Sequence, residues 1–259
     1  MFEPGLDRPL LRWDGRNPAL RAQDTGAVLL VTLFLMGPIL AVILRGLPEV
    51  PGLPEEVWWA AARSIWIALA ATAIVVVMSL VMAITIARMG QRGRWIETGG
   101  LLAVAASPLV LGTGLFVMIH PFWNPEAFAL PVTILVNAIV TLPFALRALV
   151  PACRKVEADF GRLGDMLGLK GWDRLRLVIL PRLTRPLGFS AGLAAALSMG
   201  DLGVIALFAD PETATLPLQV YRLMGSYRMD EASGAAVLLL GLSFGLFWVF
   251  DRGARRADV

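Results

Sequence analysis

The sequence predicts an all-α integral membrane protein with six transmembrane helices. Hydrophobic residues make up 57% of the chain and charged residues 17%, and the mean hydropathy is +0.71, which is unlike a soluble domain. The apolar residues also gather in long runs, and about 20 apolar helical residues are enough to cross a bilayer core of about 30 Å. Positive charges are concentrated in alternate loops, as in multi-pass membrane proteins.

Six apolar runs are the candidate spans, and the last is the shortest: residues 26–46, 60–87, 97–120, 128–149, 186–208 and 233–250. They divide the chain into an N-terminal arm, a six-span domain with a long loop, and a C-terminal tail: residues 1–25, 26–250 (loop at about 150–185) and 251–259. The polar lead to Thr25 and the length of the first apolar run are unlike a cleavable signal peptide. We therefore expect the first span to remain in the membrane.

The distribution of basic residues orients the predicted spans. Of the 23 Lys and Arg residues, 19 fall in the N-terminal arm, in the loop between spans two and three, in the stretch from Arg147 to Arg185 that contains the long loop, and in the C-terminal tail. Cytoplasmic loops carry the Lys/Arg excess, so both termini and the long loop should face the cytoplasm. The basic balance is thus a topology signal. The sequence shows no platform of interleaved aromatic and basic residues, so nucleic acid is not an expected partner.

The residues that support catalysis or metal binding are scarce. There is one cysteine, Cys153, and one histidine, His120, which stands at the end of a predicted span. No Cys/His/Asp cluster and no Ser–His pairing is apparent, so we expect no enzyme, metal site or cofactor. The two lysines, Lys155 and Lys170, follow no glycine, which excludes a Walker A loop. Any work driven by ATP must come from a partner subunit.

The long loop contains apolar residues at helical spacing, interrupted by glycines and a proline. One short helix is predicted over residues 156–167 with a left-handed cap at Gly168. Gly171 allows a turn, and a second helix from Trp172 to about Leu180 should stop at Pro181. Trp172, Leu175 and Ile179 fall on one face of this helix by their spacing. That face either lies on lipid headgroups or inserts into a groove on a cytosolic partner. We favour the partner because lipid binding needs no helix–glycine–helix unit.

This loop resembles a known motif. Gly168, nine further residues and the run Val178–Ile179–Leu180–Pro181 are similar to the G-x9-I-x-LP half of the cytoplasmic motif of bacterial ABC importer permeases. The resemblance implies a type I importer permease fold, in which this loop is a coupling helix that docks on the ABC ATPase subunits. It assigns six residues to coupling: Gly168, Leu169, Gly171, Trp172, Leu175 and Pro181. Where the family has Glu-Ala-Ala, this chain has Arg162, Leu163 and Gly164, with Asp165 close enough to serve for the glutamate.

A second segment narrows the resemblance. Residues 199–228 are similar to thiamine and thiamine-pyrophosphate importer permeases through the runs Gly200–Asp201–Leu202–Gly203, Thr215–Leu216–Pro217 and Gly225–Ser226–Tyr227–Arg228. Permeases of that branch usually join two six-span halves, and this chain is similar to the second half. Its opening residues 8–13 resemble the connector between halves. The chain is therefore either a piece of a longer permease or a half made separately.

The resemblance implies a function and partners. The expected protein is a permease subunit in the bacterial inner membrane that moves thiamine or its pyrophosphate by alternating access. Its expected partners are ABC ATPase subunits, an external solute-binding protein, a second permease half (tandem, separate or another copy) and the lipid bilayer. The alternatives are a permease for ferric iron, sulfate, molybdate or phosphonate, and an ion-coupled secondary carrier that needs no ATPase.

Asp201 is the one deep acid that the sequence places in a predicted span. Three interpretations compete: a structural carboxylate at a helix break that fixes an outer gate together with Gly200 and Gly203, a lining residue of the pathway that favours a cationic solute, and a proton-coupling group. We favour the first, since proton-driven carriers usually show several intramembrane acids or histidines. Ser198 is a candidate local partner, and Arg222 and Arg228 are candidate counter-ions.

Small residues recur every four positions in the fifth predicted span. Gly188, Gly192, Ala196 and Gly200 form one stripe along that helix. Such stripes let helix backbones approach closely in a membrane. We expect a packing face here, with another copy or another permease half as a candidate neighbour.

Overall fold

A computed structural model describes residues 17–103, 107–208 and 213–256, and within these residues the chain is helical without a strand. The predicted all-α class is confirmed. The α-helices are α1 Pro18–Gly46, α2 Glu55–Met89, α3 Gly93–Leu102, α4 Pro108–Ile119, α5 Ala129–Met166, α6 Gly171–Arg174, α7 Leu180–Met199, α8 Ile205–Phe208, α9 Leu216–Gly225 and α10 Met229–Arg256. Two 3₁₀ turns, Leu47–Gly52 and Pro125–Phe128, and a π-helical turn, Leu175–Ile179, complete the described elements. Most of the N-terminal arm, including residues 8–13, lies outside the described residues.

Four of the described helices are long and apolar enough to cross a membrane: α1, α2, α5 and α10. They correspond to the predicted spans one, two, four and six. The predicted spans three and five coincide with shorter or more polar helices. Helix α7 carries Arg182 and Arg185 in its first two turns and has many Gly, Ala and Ser residues. Length and hydropathy alone therefore support four spans.

The predicted third span, residues 97–120, is interrupted in the structure. Helix α3 ends at Leu102, and α4 starts at Pro108. Ser107, just before the proline, is extended (φ −72°, ψ 134°), because the ring of a proline disfavours helical backbone at the preceding residue. The third apolar run therefore contains two short helices, and the second of them, α4, begins at Pro108.

Helices α2, α5 and α7 form the centre of the molecule, and two clusters mark its ends. One end contains Ile86 of α2, Leu149 and Cys153 of α5, and Leu183 of α7. The opposite end contains Val57 of α2 together with α9 and the start of α10. Since α2 and α5 pack with Val75 against Ala138 and Ala145 between these ends, the long loop and the connection between α1 and α2 lie at opposite ends of the bundle.

The small-residue stripe of α7 packs against α10 of the same chain. A Cβ atom at Gly188 would overlap the Ala254 side chain and lie 2.8 Å from the carbonyl oxygen of Phe250. A Cβ atom at Gly192 would lie 2.9 Å from the carbonyl oxygen of Phe247. The predicted packing face is thus present, but at these two positions its neighbour is α10 of this chain and not another copy or half.

Candidate functional site

The start of the long loop is an extension of α5. The prediction of a separate helix over residues 156–167 is wrong, because α5 continues without a break through Pro151 to Met166. Its end is as predicted: Gly168 has a φ of +66°, and the Leu169 N–H donates to the Gly164 carbonyl at 2.9 Å. Only glycine adopts this left-handed cap without strain. Gly171, with a φ of +53°, makes the predicted turn before α6.

Pro181 does not stop the second helix of the loop, contrary to the prediction. Helix α6 passes through the π-helical turn Leu175–Ile179 directly into α7, in which Pro181 is the second residue. A proline inside a helix normally clashes with the carbonyl four residues earlier. A π turn widens the helix locally, which gives the ring room. The segment Gly168–Pro181, here named the coupling segment, is therefore covalently continuous with α7.

The apolar face predicted for this segment is split in the structure. Ile179 is buried and Leu175 packs against the same core cluster, whereas the Trp172 side chain is 67% exposed. A π turn changes the angle between successive residues relative to an α-helix, and Trp172, which precedes this turn, is exposed. Met166 and Leu167 at the end of α5 are exposed as well. These three residues are named the apolar knob.

Arg174 belongs to the coupling segment and is buried, with 6% of its surface exposed. Its Nη1 donates to Asp165 Oδ1 at 2.5 Å, and its Nη2 donates to Glu157 Oε1 at 2.7 Å and to the Gly161 carbonyl at 3.3 Å. Gly164 lies beside the guanidinium, where a Cβ would be 3.6 Å from Arg174 Cζ. These contacts attach the coupling segment to α5 and are named the Arg174 clamp.

The contacts of the clamp favour the charged form of Arg174. Sequence reasoning did not predict the clamp. Burial lowers the pKa of Arg174, but the hydrogen bond with Asp165 and the charges of Glu157 and Asp165 outweigh it, so the pKa lies above its ordinary value. The available signal was the spacing on α5: residues 157, 161 and 165 recur every four positions on one helix face. Asp165, expected to replace the family glutamate, pairs with Arg174 of its own chain.

Asp201 lies in a turn beyond the C-terminal end of α7. The helix predicted to continue to residue 208 ends at Met199, and Gly200 caps it. Asp201 Oδ1 accepts a hydrogen bond from the Gly203 N–H at 3.2 Å, while its buried Oδ2 has no hydrogen-bond partner among the described residues. Gly203 in turn lies against Pro108 and the start of α4. The carboxylate therefore holds the chain reversal between α7 and α8.

The side chains of two partners expected for Asp201, Ser198 and Arg228, bond elsewhere. The Ser198 hydroxyl accepts a hydrogen bond from Asn137 Nδ2 at 2.8 Å, which is a buried link between α7 and α5. Arg228 Nε donates to Glu231 Oε1 at 2.8 Å. Sequence reasoning missed Asn137, although a carboxamide in an apolar run is a signal for a helix–helix hydrogen bond in a membrane.

Two clefts border these residues. A cleft of about 420 Å³ beside the Asp201 turn is lined by residues of α4, α5 and α7, including Asn137, Thr141, Phe144, Ser198 and Asp201. A larger cleft of about 700 Å³, at the end of the bundle opposite the coupling segment, is lined by Arg63, Arg222 and Arg228 among others. Among the residues that the structure describes, no group of three His, Cys, Asp or Glu side chains could hold a metal ion.

Sequence comparison relates the chain to transport permeases. The chain is 35% identical over 251 residues to the thiamine transport system permease protein ThiP of Salmonella typhimurium, which covers 93% of this chain and 47% of that protein. It is 36% identical to the protein of the same name from Escherichia coli over 90% of this chain, and 38% identical to that of Brucella abortus over 86%. The chain is homologous to thiamine transport permeases. It spans about half the length of these relatives.

The homology extends to a permease for another solute. The sulfate transport system permease protein CysW of Escherichia coli is 27% identical over 83% of this chain and 80% of its own length. No protein-family model matches the chain. The predicted resemblance to importer permeases of the thiamine branch is confirmed. Permease homology and four long apolar helices together indicate a multi-pass protein of the inner membrane.

Proposed function

We propose that this chain is a transmembrane permease subunit, or half of one, of an ATP-driven importer for thiamine or thiamine pyrophosphate. The observation that carries the proposal is the homology to thiamine transport permeases over most of the chain. The absence of a Walker A sequence assigns ATP hydrolysis to separate ABC ATPase subunits. An external solute-binding protein delivers the solute, and the chain moves it by alternating access.

The coupling segment is the proposed docking site for the ATPase. Its apolar knob of Met166, Leu167 and Trp172 projects from the end of the bundle, with Met166 86% exposed. Gly168 and Gly171 hold the loop in the shape that presents the knob, and Leu169 lies between them half-buried. Leu175 packs where the segment meets the core, and Pro181 lies where the segment joins α7. Aromatic and methionine side chains are enriched in the cores of protein interfaces.

The orientation follows from charge. Because cytoplasmic loops carry excess Lys and Arg, the coupling segment and both termini face the cytoplasm. In this proposal α3 with α4 and α7 complete the six spans: α7 packs within the bundle, whereas α3 and α4 expose most of their side chains to a neighbour or to lipid. Shorter helices at membrane depth are tolerated where they are covered by protein. A second permease half covers the remaining faces, as the chain spans about half of its relatives' length.

The Gly200–Asp201–Leu202–Gly203 turn is the proposed gate. It lies where α4, α5 and α7 meet, beside the cleft of about 420 Å³. Its carboxylate accepts the backbone hydrogen bond that fixes the chain reversal. We therefore assign Asp201 a structural role at the gate, and a cation-selective role in the pathway remains the alternative interpretation.

Uptake by cells that lack their own transporter tests the substrate. The chain is expressed with the partners encoded beside it, and thiamine, thiamine pyrophosphate, ferric iron, sulfate, molybdate and a phosphonate are offered separately. We expect saturable uptake of thiamine or its pyrophosphate. Uptake of another solute without any thiamine response would reject the thiamine assignment, and the sulfate relative makes sulfate the first alternative.

Substitution of Trp172 tests the docking site. We expect Trp172→Ala to weaken ATPase binding about tenfold or more, because truncation of an aromatic hot spot typically costs about 2 kcal/mol. The matched control is Trp95→Ala, since Trp95 on α3 is 83% exposed but lies outside the knob. Binding is measured by co-purification and titration of the ATPase. Equal ATPase affinity for the Trp172 variant and the wild type would refute docking through the knob.

A further inference from the structure

The Arg174 clamp adds a side-chain attachment between the coupling segment and α5. Along the backbone, the segment is joined to α5 through the turn at Gly168 and to α7 through the π turn. Through Arg174 it is also attached to α5, by hydrogen bonds to Glu157, Asp165 and the Gly161 carbonyl. A force applied to the coupling segment therefore has two routes into the bundle.

The geometry of the clamp suits a rigid attachment. One guanidinium bonds two carboxylates and a backbone carbonyl at once, which fixes its orientation better than a single ion pair would. Gly161 and Gly164 form the surface on which the group rests, since a Cβ at Gly161 would already be 3.4 Å from Arg174 Nη2. The Glu157 side chain is 29% exposed and that of Asp165 72%, so water screens the Arg174–Glu157 pair less than the Arg174–Asp165 pair.

A second link joins the same two helices near their other ends. Asn137 of α5 donates to the Ser198 hydroxyl of α7 at 2.8 Å, next to the Asp201 turn. Asn137 and Glu157 are 20 positions apart on one helix, which corresponds to about 30 Å along its axis. Between the two links, α5 and α7 share two apolar clusters, one that contains Ala145 and Ala194 and one that contains Leu149 and Leu183.

We infer that Arg174 is a positioning residue that makes α5, the coupling segment and α7 move as one unit. Displacement of the coupling segment then shifts α5 and α7 together and carries the Asn137–Ser198 link and the gate turn with them. Without the clamp, only the backbone turn at Gly168 would join the segment to α5, and α5 would follow the displacement less closely than α7. This inference rests on the proposed function, because an ATPase supplies the displacement.

The test measures transport per ATP in vesicles that contain the full transporter, with its ATPase and binding protein. We expect Arg174→Gln to keep ATP hydrolysis but to lower solute uptake per ATP about tenfold, in the upper range for residues that carry coupling between sites. The matched control is Arg176→Gln, because Arg176 is exposed on the same segment and its substitution should leave the ratio unchanged. An unchanged ratio in Arg174→Gln would overturn the inference.

A restored attachment gives a second readout. Cysteines replace Asp165 and Arg174 in a Cys153→Ala background, and a short bismaleimide joins them. We expect uptake per ATP to be low before cross-linking and to recover after it. No recovery would contradict the inference. The cysteine variant, measured before and after cross-linking, also tests the inference if Arg174→Gln fails to accumulate in the membrane.

Spin labels separate failure of this inference from failure of the proposed function. If the wild type shows no ATP-driven uptake, the importer proposal fails, and the clamp is then tested by the distance between labels at the exposed positions Leu163 and Leu177. These labels report on the end of α5 and on the coupling segment. We expect a narrow distance distribution in the wild type and a broader one in Arg174→Gln. Identical distributions would refute the clamp whatever the solute.

Discussion

Replacing Gly188 with leucine should prevent α7 and α10 from packing. A Cβ at this position overlaps the Ala254 side chain and approaches the Phe250 carbonyl oxygen to 2.8 Å. Backbone cannot yield as a flexible side chain does, so the two helices must separate. Overpacking of a tight site typically costs about 1–3 kcal/mol, and because the larger side chain meets backbone here we expect about 3 kcal/mol. The variant should be nearly absent from the membrane.

The control for this prediction is Gly241→Leu. Gly241 lies on α10, is exposed, and has no neighbouring atom where a Cβ would be added. Leucine also has the higher helix propensity, by about 0.8 kcal/mol. We expect normal membrane levels and an unchanged melting temperature in detergent for this variant. Equal membrane levels and melting temperatures for the Gly188 and Gly241 variants would show that α7 does not pack on α10 as described.

Asp201 should tolerate asparagine but not alanine. The observed hydrogen bond runs from the Gly203 N–H to Asp201 Oδ1, and an asparagine side chain keeps an oxygen in that position, as it does at helix caps. Alanine removes the acceptor, which at such caps costs about 1 kcal/mol. Since about 1.4 kcal/mol is a factor of ten in an equilibrium, we expect Asp201→Ala to lower uptake about fivefold and Asp201→Asn to keep most of it.

The two variants also discriminate between the interpretations of Asp201. They are compared by uptake of radiolabelled thiamine and of its pyrophosphate, after correction for the amount of transporter in the membrane. Nearly normal uptake in Asp201→Asn agrees with the structural role at the gate. A loss in Asp201→Asn that is confined to cationic thiamine would instead support a role in the pathway and would contradict our assignment.

The helical class and the spans that are apolar on every face were predictable from the sequence. Helices α1, α2 and α10 are long apolar runs with polar ends, so hydropathy alone predicts them. The glycine cap at Gly168 was predictable for a different reason, since few residues other than glycine take a left-handed backbone. In each case the signal is local, within one helix or one turn.

The errors arose where tertiary contacts decide. Pro181 was predicted to end a helix, yet a π turn accommodates it, and hydropathy contains no information about such a turn. Trp172, predicted to share a face with Leu175, is exposed in the structure as part of the knob. The clamp joins Arg174 to Asp165 and Glu157, which lie 9 and 17 positions before it. Because the turn at Gly168 interrupts the helix between them, helical spacing does not predict these pairs. The neighbour of Gly188 was likewise not predictable, because a small-residue stripe does not specify its partner.

The most direct test of the account measures thiamine uptake into sealed vesicles that contain this chain with its second half, its ATPase and its binding protein. We predict that uptake requires Mg-ATP on the side of the membrane where the ATPase lies. Uptake should stop when a non-hydrolysable analogue replaces ATP. It should persist after ionophores collapse the proton and sodium gradients. Uptake that follows an ion gradient and continues without the ATPase would contradict the account and identify an ion-coupled carrier.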